Sequence, residues 1–230
     1  VFHASHEGSG TFLATGLGPD GDRRAPLAHL WGPGSTLGPL NDGYVASAAE
    51  VEAEGPWSIE VASPAGAPAW DRQAGIDGTG PAVLRIEGAV TEPTTVRITH
   101  DGDSNVVVGA AGARTSSSLL VNEIGAFDGP VVLPTGSRIL TVDASGGWTV
   151  AREPQAATNP GGGSTRSVSG QGYAVVTLEP FDEPVVATIT FEGEDTFDAT
   201  SLDGNGLPVG LLATSFGPYA GVVPLNVDGT

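Results

Sequence analysis

The stretch Thr95-Val96-Arg97-Ile98-Thr99-His100-Asp101-Gly102-Asp103-Ser104-Asn105-Val106-Val107-Val108 decides the fold. Apolar and polar residues alternate from Thr95 to Thr99, which sends successive side chains to opposite faces of an extended chain. Asp101-Gly102 supplies a tight turn, and a β-branched run then leads away from it, compatible with a strand buried on both faces. The stretch reads as strand, turn, strand.

Outward from it, Ala82-Val83-Leu84-Arg85-Ile86-Glu87 and Ile139-Leu140-Thr141-Val142-Asp143 alternate in the same way, and Val131-Val132-Leu133 is a second continuous apolar run. Asp128-Gly129 and Gly146-Gly147 supply further turns. No stretch of ten or more residues carries a helical stripe with a cap. Six to eight short strands in about 90 residues is the strand density of a β-sandwich.

The opening stretch has two counterparts. Ser5-His6-Glu7-Gly8-Ser9-Gly10-Thr11-Phe12 precedes it and Thr190-Phe191-Glu192-Gly193-Glu194-Asp195-Thr196-Phe197 comes after it, with glycine steps of 102 − 8 = 94 and 193 − 102 = 91. Leu30-Trp31-Gly32, Glu123-Ile124-Gly125 and Ser215-Phe216-Gly217 repeat at steps of 93 and 92, and Trp57 with Trp148 at 91. Anchors that agree on one period are the signature of a repeat architecture. The expected fold class is all-β, with tandem antiparallel β-sandwich modules, Ig-like or jelly-roll-like, of about 92 residues.

On this period, residues 75–158 form a complete repeat. Residues 1–72 form a repeat lacking its first strand or strands, and 167–230 one lacking its last. The segments 62–74 and 155–166, rich in Pro, Ala and Gly, read as linkers. The chain starts at Val1 without a Met or a leader and is expected to be processed or excised. Its ends are out of phase with the repeat, so it is expected to be a window on a longer array, or else a subunit whose absent strands come from neighbouring chains.

Composition narrows the function classes. The 35 glycines and 18 prolines fall between the apolar runs and mark turns. Zero cysteine excludes disulfide scaffolds, thiolate metal sites and cysteine nucleophiles. A net charge of −18 repels phosphate backbones and anionic headgroups, so no nucleic-acid partner is expected. No apolar run approaches the roughly 18 residues that would suggest membrane insertion.

The middle repeat, with Ile98-Thr99-His100-Asp101-Gly102-Asp103-Ser104-Asn105, Leu120-Val121-Asn122-Glu123-Ile124-Gly125-Ala126-Phe127 and Gly147-Trp148-Thr149-Val150, resembles tandem β-sandwich repeats of uncharacterised secreted proteins of high-GC Gram-positive bacteria. Pro68-Ala69-Trp70-Asp71 resembles the lead-in to that repeat. The resemblance implies an extracellular β-sandwich and no activity. The outer copies depart from it, with His29-Leu30-Trp31 and Thr214-Ser215-Phe216 in place of Asn122-Glu123-Ile124.

Candidate sites are few. His6 and His100 share a repeat position that holds Phe191 in the third copy, which suits a packing role at a strand end. His3 and His6 are three apart and fall on opposite faces of a strand, the wrong geometry for joint metal binding. Asp101, Asp103 and Asn105 form D-x-D-x-N, the opening of a calcium loop, but Val106 and Gly112 stand where its glycine and glutamate belong. They are the calcium candidate; no other cofactor and no catalytic group is expected. Gly161-Gly162-Gly163-Ser164-Thr165 lacks the lysine of a phosphate loop and reads as linker, and Glu192 with Glu194 as solvated turn charges.

Trp57 and Trp148 are expected to fill the sandwich core. Trp31, Ile124 and Phe216 are expected to pack in a core or between modules, with an exposed platform for sugars as the competing reading. The expected function is that of a non-enzymatic extracellular or cell-surface protein, structural or adhesive, a subunit of a filament or stalk that joins copies of itself end to end. The alternative is a carbohydrate- or calcium-binding accessory module that meets surface glycans.

Overall fold

Short alternating runs fold into short strands, and the chain is all-β with several small antiparallel sheets. The computed structural model describes residues 1–40, 46–112, 117–153, 167–178 and 185–225. A first set of strands comprises β1 (Phe2–His6), β2 (Thr11–Leu17), β3 (Arg23–Trp31), β4 (Gly34–Gly38), β5 (Ala48–Ala53) and β6 (Trp57–Val61). Here β1 lies between β4 and β6, and β2 between β3 and β5. Phe2, Ala4, Phe12, Ala14 and Ala28 are buried between the two sheets.

The middle set holds the main core. It runs β7 (Ala69–Trp70), β8 (Ile76–Thr79), β9 (Ala82–Ile86), β10 (Thr94–His100), β11 (Asn105–Gly112), β12 (Ser118–Ile124), β13 (Phe127–Leu133), β14 (Ser137–Ala144) and β15 (Gly147–Arg152). One sheet has the order β13-β10-β15-β8 and the other β12-β11-β14-β9-β7, a β-sandwich-like arrangement. Their alternating inward residues, among them Val96, Ile98, Val106, Val108, Leu140, Val142 and Val150, meet in one cluster of seventeen buried side chains. The first set buries five, so among the described residues most of the apolar burial that drives folding lies in the middle. Val107 is only half-buried between Val106 and Val108, so one face of β11 meets the core and the other does not.

The third set is thinner. β16 (Val185–Phe191) pairs with β19 (Tyr219–Leu225), and β17 (Thr196–Leu202) with β18 (Pro208–Phe216). Stacked rings of Phe191 and Phe197, 4.9 Å apart, and of Phe197 and Tyr219, 6.1 Å apart, join these two ribbons.

The Pro- and Ala-rich stretch after β6 is tied down. Ser63 caps a 3₁₀ turn at Pro64–Gly66 by accepting the Ala65 N–H. β7 then pairs in parallel with β9, and Trp70 enters the middle core with its indole N–H donated to the Ala74 carbonyl at 2.9 Å. Asp71 accepts the Gln73 N–H, and Arg72 takes a left-handed φ of 64°. That conformation costs a non-glycine residue about 1 kcal/mol or more. It is held by the guanidinium, which donates to the Glu87 and Ala89 carbonyls at 3.2 and 3.3 Å.

Candidate functional site

The turn at the end of β1 and β10 is organised by a histidine. His100 stands opposite Phe127 on one side and Trp148 on the other, and its ring is buried. Its Nδ1 lies 2.9 Å from the Gly125 carbonyl, which can only accept, so Nδ1 carries hydrogen. Among the described residues Nε2 is buried without a partner above Gly102, where a Cβ would lie 2.6 Å from it. His6 sits in the same way opposite Gly34 and Trp57, with the Gly32 and Glu54 carbonyls each 3.0 Å from a ring nitrogen. A neutral ring donates to one of these carbonyls; the imidazolium donates to both. Both histidines therefore join backbone turns across the sandwich, and Phe191 holds the matching place by ring stacking.

Asp101 is committed to the same turn. Its Oδ1 accepts the Gly147 N–H at 2.7 Å, which ties the β10–β11 turn to the β14–β15 turn. Asp103 and Asn105 are exposed, and Asn105 opens β11 opposite Ile124. Among the described residues no group of three or more His, Asp or Glu side chains is placed to hold a metal. His3 is exposed opposite Glu60, and Glu192 and Glu194 are exposed near the β16–β17 turn. Gly161 to Thr165 lie outside the described residues.

The large apolar residues divide differently from the expectation. Trp148 is 4% exposed, donates its indole N–H to the Gly80 carbonyl at 2.8 Å, and lies flat on Gly78, where a Cβ would sit 2.4 Å from the ring. Trp57 is 47% exposed, because no strand covers the far side of β6 among the described residues as β8 covers β15. Trp31, Ile124 and Phe216 are not packed in a core or between strand sets: they are 78%, 84% and 91% exposed. Their partners explain it. Trp31 stands opposite Thr11, next to the buried Phe12, so it takes the outward parity of β2. His29 lies on the same outward face, its ring 5.2 Å from that of Trp31.

Contacts between the strand sets involve residues with no motif of their own. The Thr36 hydroxyl of β4 donates to Asp143 Oδ2 of β14 at 2.7 Å. Burial raises the Asp143 carboxyl above its usual range, with the Thr36 hydrogen bond opposing. A cleft of about 380 Å³ beside them is lined by His3, Ser35, Leu37 and Glu60 on one side and Pro81 to Val83 on the other. Tyr173, in the strandless stretch 167–178, packs edge-on to Phe127 at 4.9 Å and donates its hydroxyl to Glu123 at 3.0 Å. A Cβ on Gly129 would lie 2.8 Å from that of Tyr173, so the approach needs the glycine. The Thr135 N–H donates to the Asn205 carbonyl at 2.9 Å, and Gly206 rests on Val132 and Pro93.

A signal for Tyr173 exists in the sequence. Ile76-Asp77-Gly78-Thr79-Gly80-Pro81-Ala82-Val83 aligns with Val168-Ser169-Gly170-Gln171-Gly172-Tyr173-Ala174-Val175, and Gly80 and Gly172 share φ values of 69° and 67°. No protein-family model, curated protein or solved structure matches the chain.

Proposed function

We propose that the chain is a structural segment of an extracellular surface protein, built from tandem β-sandwich units of about 92 residues that act as spacers in a stalk or filament. The observation that carries the reading is the recurrence of one pairing order. β1 lies between β4 and β6, β10 between β13 and β15, and β16 beside β19. Likewise β2 lies between β3 and β5, β11 between β12 and β14, and β17 beside β18. These matches fall on the same residues as the period in the sequence, with His6, His100 and Phe191 in equivalent places. Repeated units that meet their neighbours in sequence give extended, quasi-one-dimensional assemblies. The acidic, cysteine-free composition and the resemblance to secreted repeats support an extracellular site.

Immunogold labelling of intact producing cells tests the proposal. Label on the cell surface or on extracellular fibres is expected, and label confined to the cytoplasm overturns it.

A second reading has one observation in its favour. Trp31 presents an open ring beside His29, an arrangement suited to stacking on an uncharged sugar face. A glycan array with the native chain and Trp31→Ala separates the two. Binding that disappears with the tryptophan favours the glycan reading, and equal, flat responses remove it.

A further inference from the structure

We propose that the cleft between the Pro64–Gly66 turn and β14 binds a carboxylate-bearing sugar residue, a hexuronate, through the guanidinium groups of Arg85 and Arg138. The cleft involves neither Trp31 nor the tandem reading.

A segment without sheet pattern builds it. After β6 the chain makes the Ser63-capped turn, which packs against β9. Arg85 lies between the buried Leu84 and Ile86 of β9, so its side chain takes the outward parity. It stands opposite Ile139 of β14, and Arg138 comes just before that residue. A cleft of about 410 Å³ results, lined among others by Ser63, Pro64, Arg85, Ile86, Arg138 and Ile139. Sites for small molecules span about 300–1,000 Å³.

The cleft is opposite in charge to the chain. Against 27 acidic and nine basic side chains overall, its described lining holds two arginines and no carboxylate. Arg23 and Arg97 each meet two carboxylates, at 2.8 and 2.9 Å and at 2.6 and 3.2 Å. Arg85, by contrast, stays 3.7 Å from Glu87, beyond hydrogen-bond length, and Arg138 donates to the Gly88 carbonyl at a long 3.4 Å. A guanidinium has five N–H donors, so both keep donors for a ligand. Arg72 adds a third positive charge at the same turn, bonded to the carbonyls on either side of Gly88. Its Nε is buried without a partner among the described residues.

The fork of an arginine matches carboxylate and phosphate alike. Net charge decides between them. A phosphate monoester carries about −1.5 to −2 at neutral pH and a carboxylate a single charge, so a chain at −18 opposes the carboxylate less. Pro64 and Ile139 give the body of the ligand an apolar wall. Ser63 Oγ accepts the Ala65 N–H and keeps its own hydrogen for a sugar oxygen.

Amide NMR titration of the full chain with glucuronate at low salt tests the site. Saturable shifts at the Gly88, Gly112 and Ile139 amides are expected, with a Kd on the order of 1 mM. Glucose, which lacks the carboxylate, is expected to bind at least about tenfold more weakly, and Arg85→Gln and Arg138→Gln each to weaken glucuronate by a similar factor, as for a lost hydrogen bond to a charged group. Arg23→Gln removes one positive charge from the first set and is expected to leave the affinity unchanged. Should Arg85→Gln, within β9, not fold, the exposed Arg138→Gln carries the test alone. No saturable shift, an equal response to glucose, or unchanged binding in Arg138→Gln overturns the site. Tighter binding of glucose 6-phosphate than of glucuronate overturns the carboxylate assignment.

Discussion

Trp148 and Trp57 stand opposite His100 and His6, yet their surroundings assign them different weights. Trp148 is enclosed by Gly78, Gly80 and the middle core, so Trp148→Ala leaves a large cavity and an unpaired carbonyl. It is expected to destabilise the main urea transition by about 3–5 kcal/mol. Trp57→Ala, at a half-exposed site, is expected to cost about 1 kcal/mol. Circular dichroism during urea unfolding measures both, and equal losses would show that the covering strand β8 does not decide the cost. Trp148 was legible in the sequence, because its neighbours Thr149 and Val150 continue an alternation that puts it inside. The outward parity of Trp31 was missed: size alone suggested packing, and only the pairing of Leu30 with the buried Phe12 fixes which face is inward. Trp70 was not legible as core. It sits among Pro and Ala without alternation, and its burial comes from a two-residue parallel pairing that leaves no periodic trace.

The element with the most uniform construction is the hairpin between the two sheets. Gly32, Gly125 and Gly217 take φ values of 75°, 90° and 86°, and their N–H groups donate to the Gly10, Ser104 and Asp195 carbonyls at 2.8, 2.9 and 3.0 Å. A Cβ on Gly125 would meet nothing within 4 Å, so an alanine there is opposed by backbone conformation alone. Gly125→Ala is expected to cost about 1–2 kcal/mol. Gly78→Ala is a different case, since its Cβ would overlap the Trp148 ring, and it is expected to cost more. Thermal melts of the two variants side by side check the order; a larger loss at Gly125 would contradict the account. The hairpin itself was misplaced in the sequence: Asp128-Gly129 reads as a turn but falls inside β13, paired with Thr99 and Ile98, and the chain reverses at Gly125 instead. The contacts at Thr36, Asp143 and Glu123 were not legible either, because polar residues on outward faces look alike until another part of the chain comes to rest on them.

For the whole molecule, charge sets the response to solvent. At −18 the chain repels itself, and added salt shortens the reach of that repulsion from about 30 Å at 0.01 M to about 10 Å at 0.1 M. The ion pairs, such as Arg97 with Asp128 and Arg23 with Glu50, are exposed and individually weak. The melting temperature is therefore expected to rise over this range, and a fall would mean that the ion pairs outweigh the net repulsion. Asp143 adds an opposite pH signature to that of most carboxylates. Its folded value is raised by burial, so its contribution is fully present below the unfolded value of about 3.9 and fades as pH rises through the folded one. Asp71 is held low by the Gln73 and Ala74 amides and behaves in the reverse sense, losing its contribution as pH falls. The urea midpoint of the native chain minus that of Asp143→Asn should decline with rising pH across the acidic range; a flat difference would place Asp143 in water.

The matched cross-strand pairs bear on how such a chain avoids tangling. Neighbouring stretches with one strand order can exchange equivalent strands while they fold, which is a characteristic failure of repeated sequences. The hydroxyl pairs are alike in the two sets, Ser5 with Ser58 at 2.8 Å and Thr99 with Thr149 at 2.7 Å, and do not tell them apart. Arg97 is held by both Asp128 and Glu153, whereas its counterpart His3 faces Leu37 and Glu60. With β4 in place of β13, Ser35 would stand where Asp128 does and the Arg97 guanidinium would lose one of its two carboxylates. On the tandem reading, Arg97 and its two carboxylates would favour pairing of the middle strands with one another over pairing with β4.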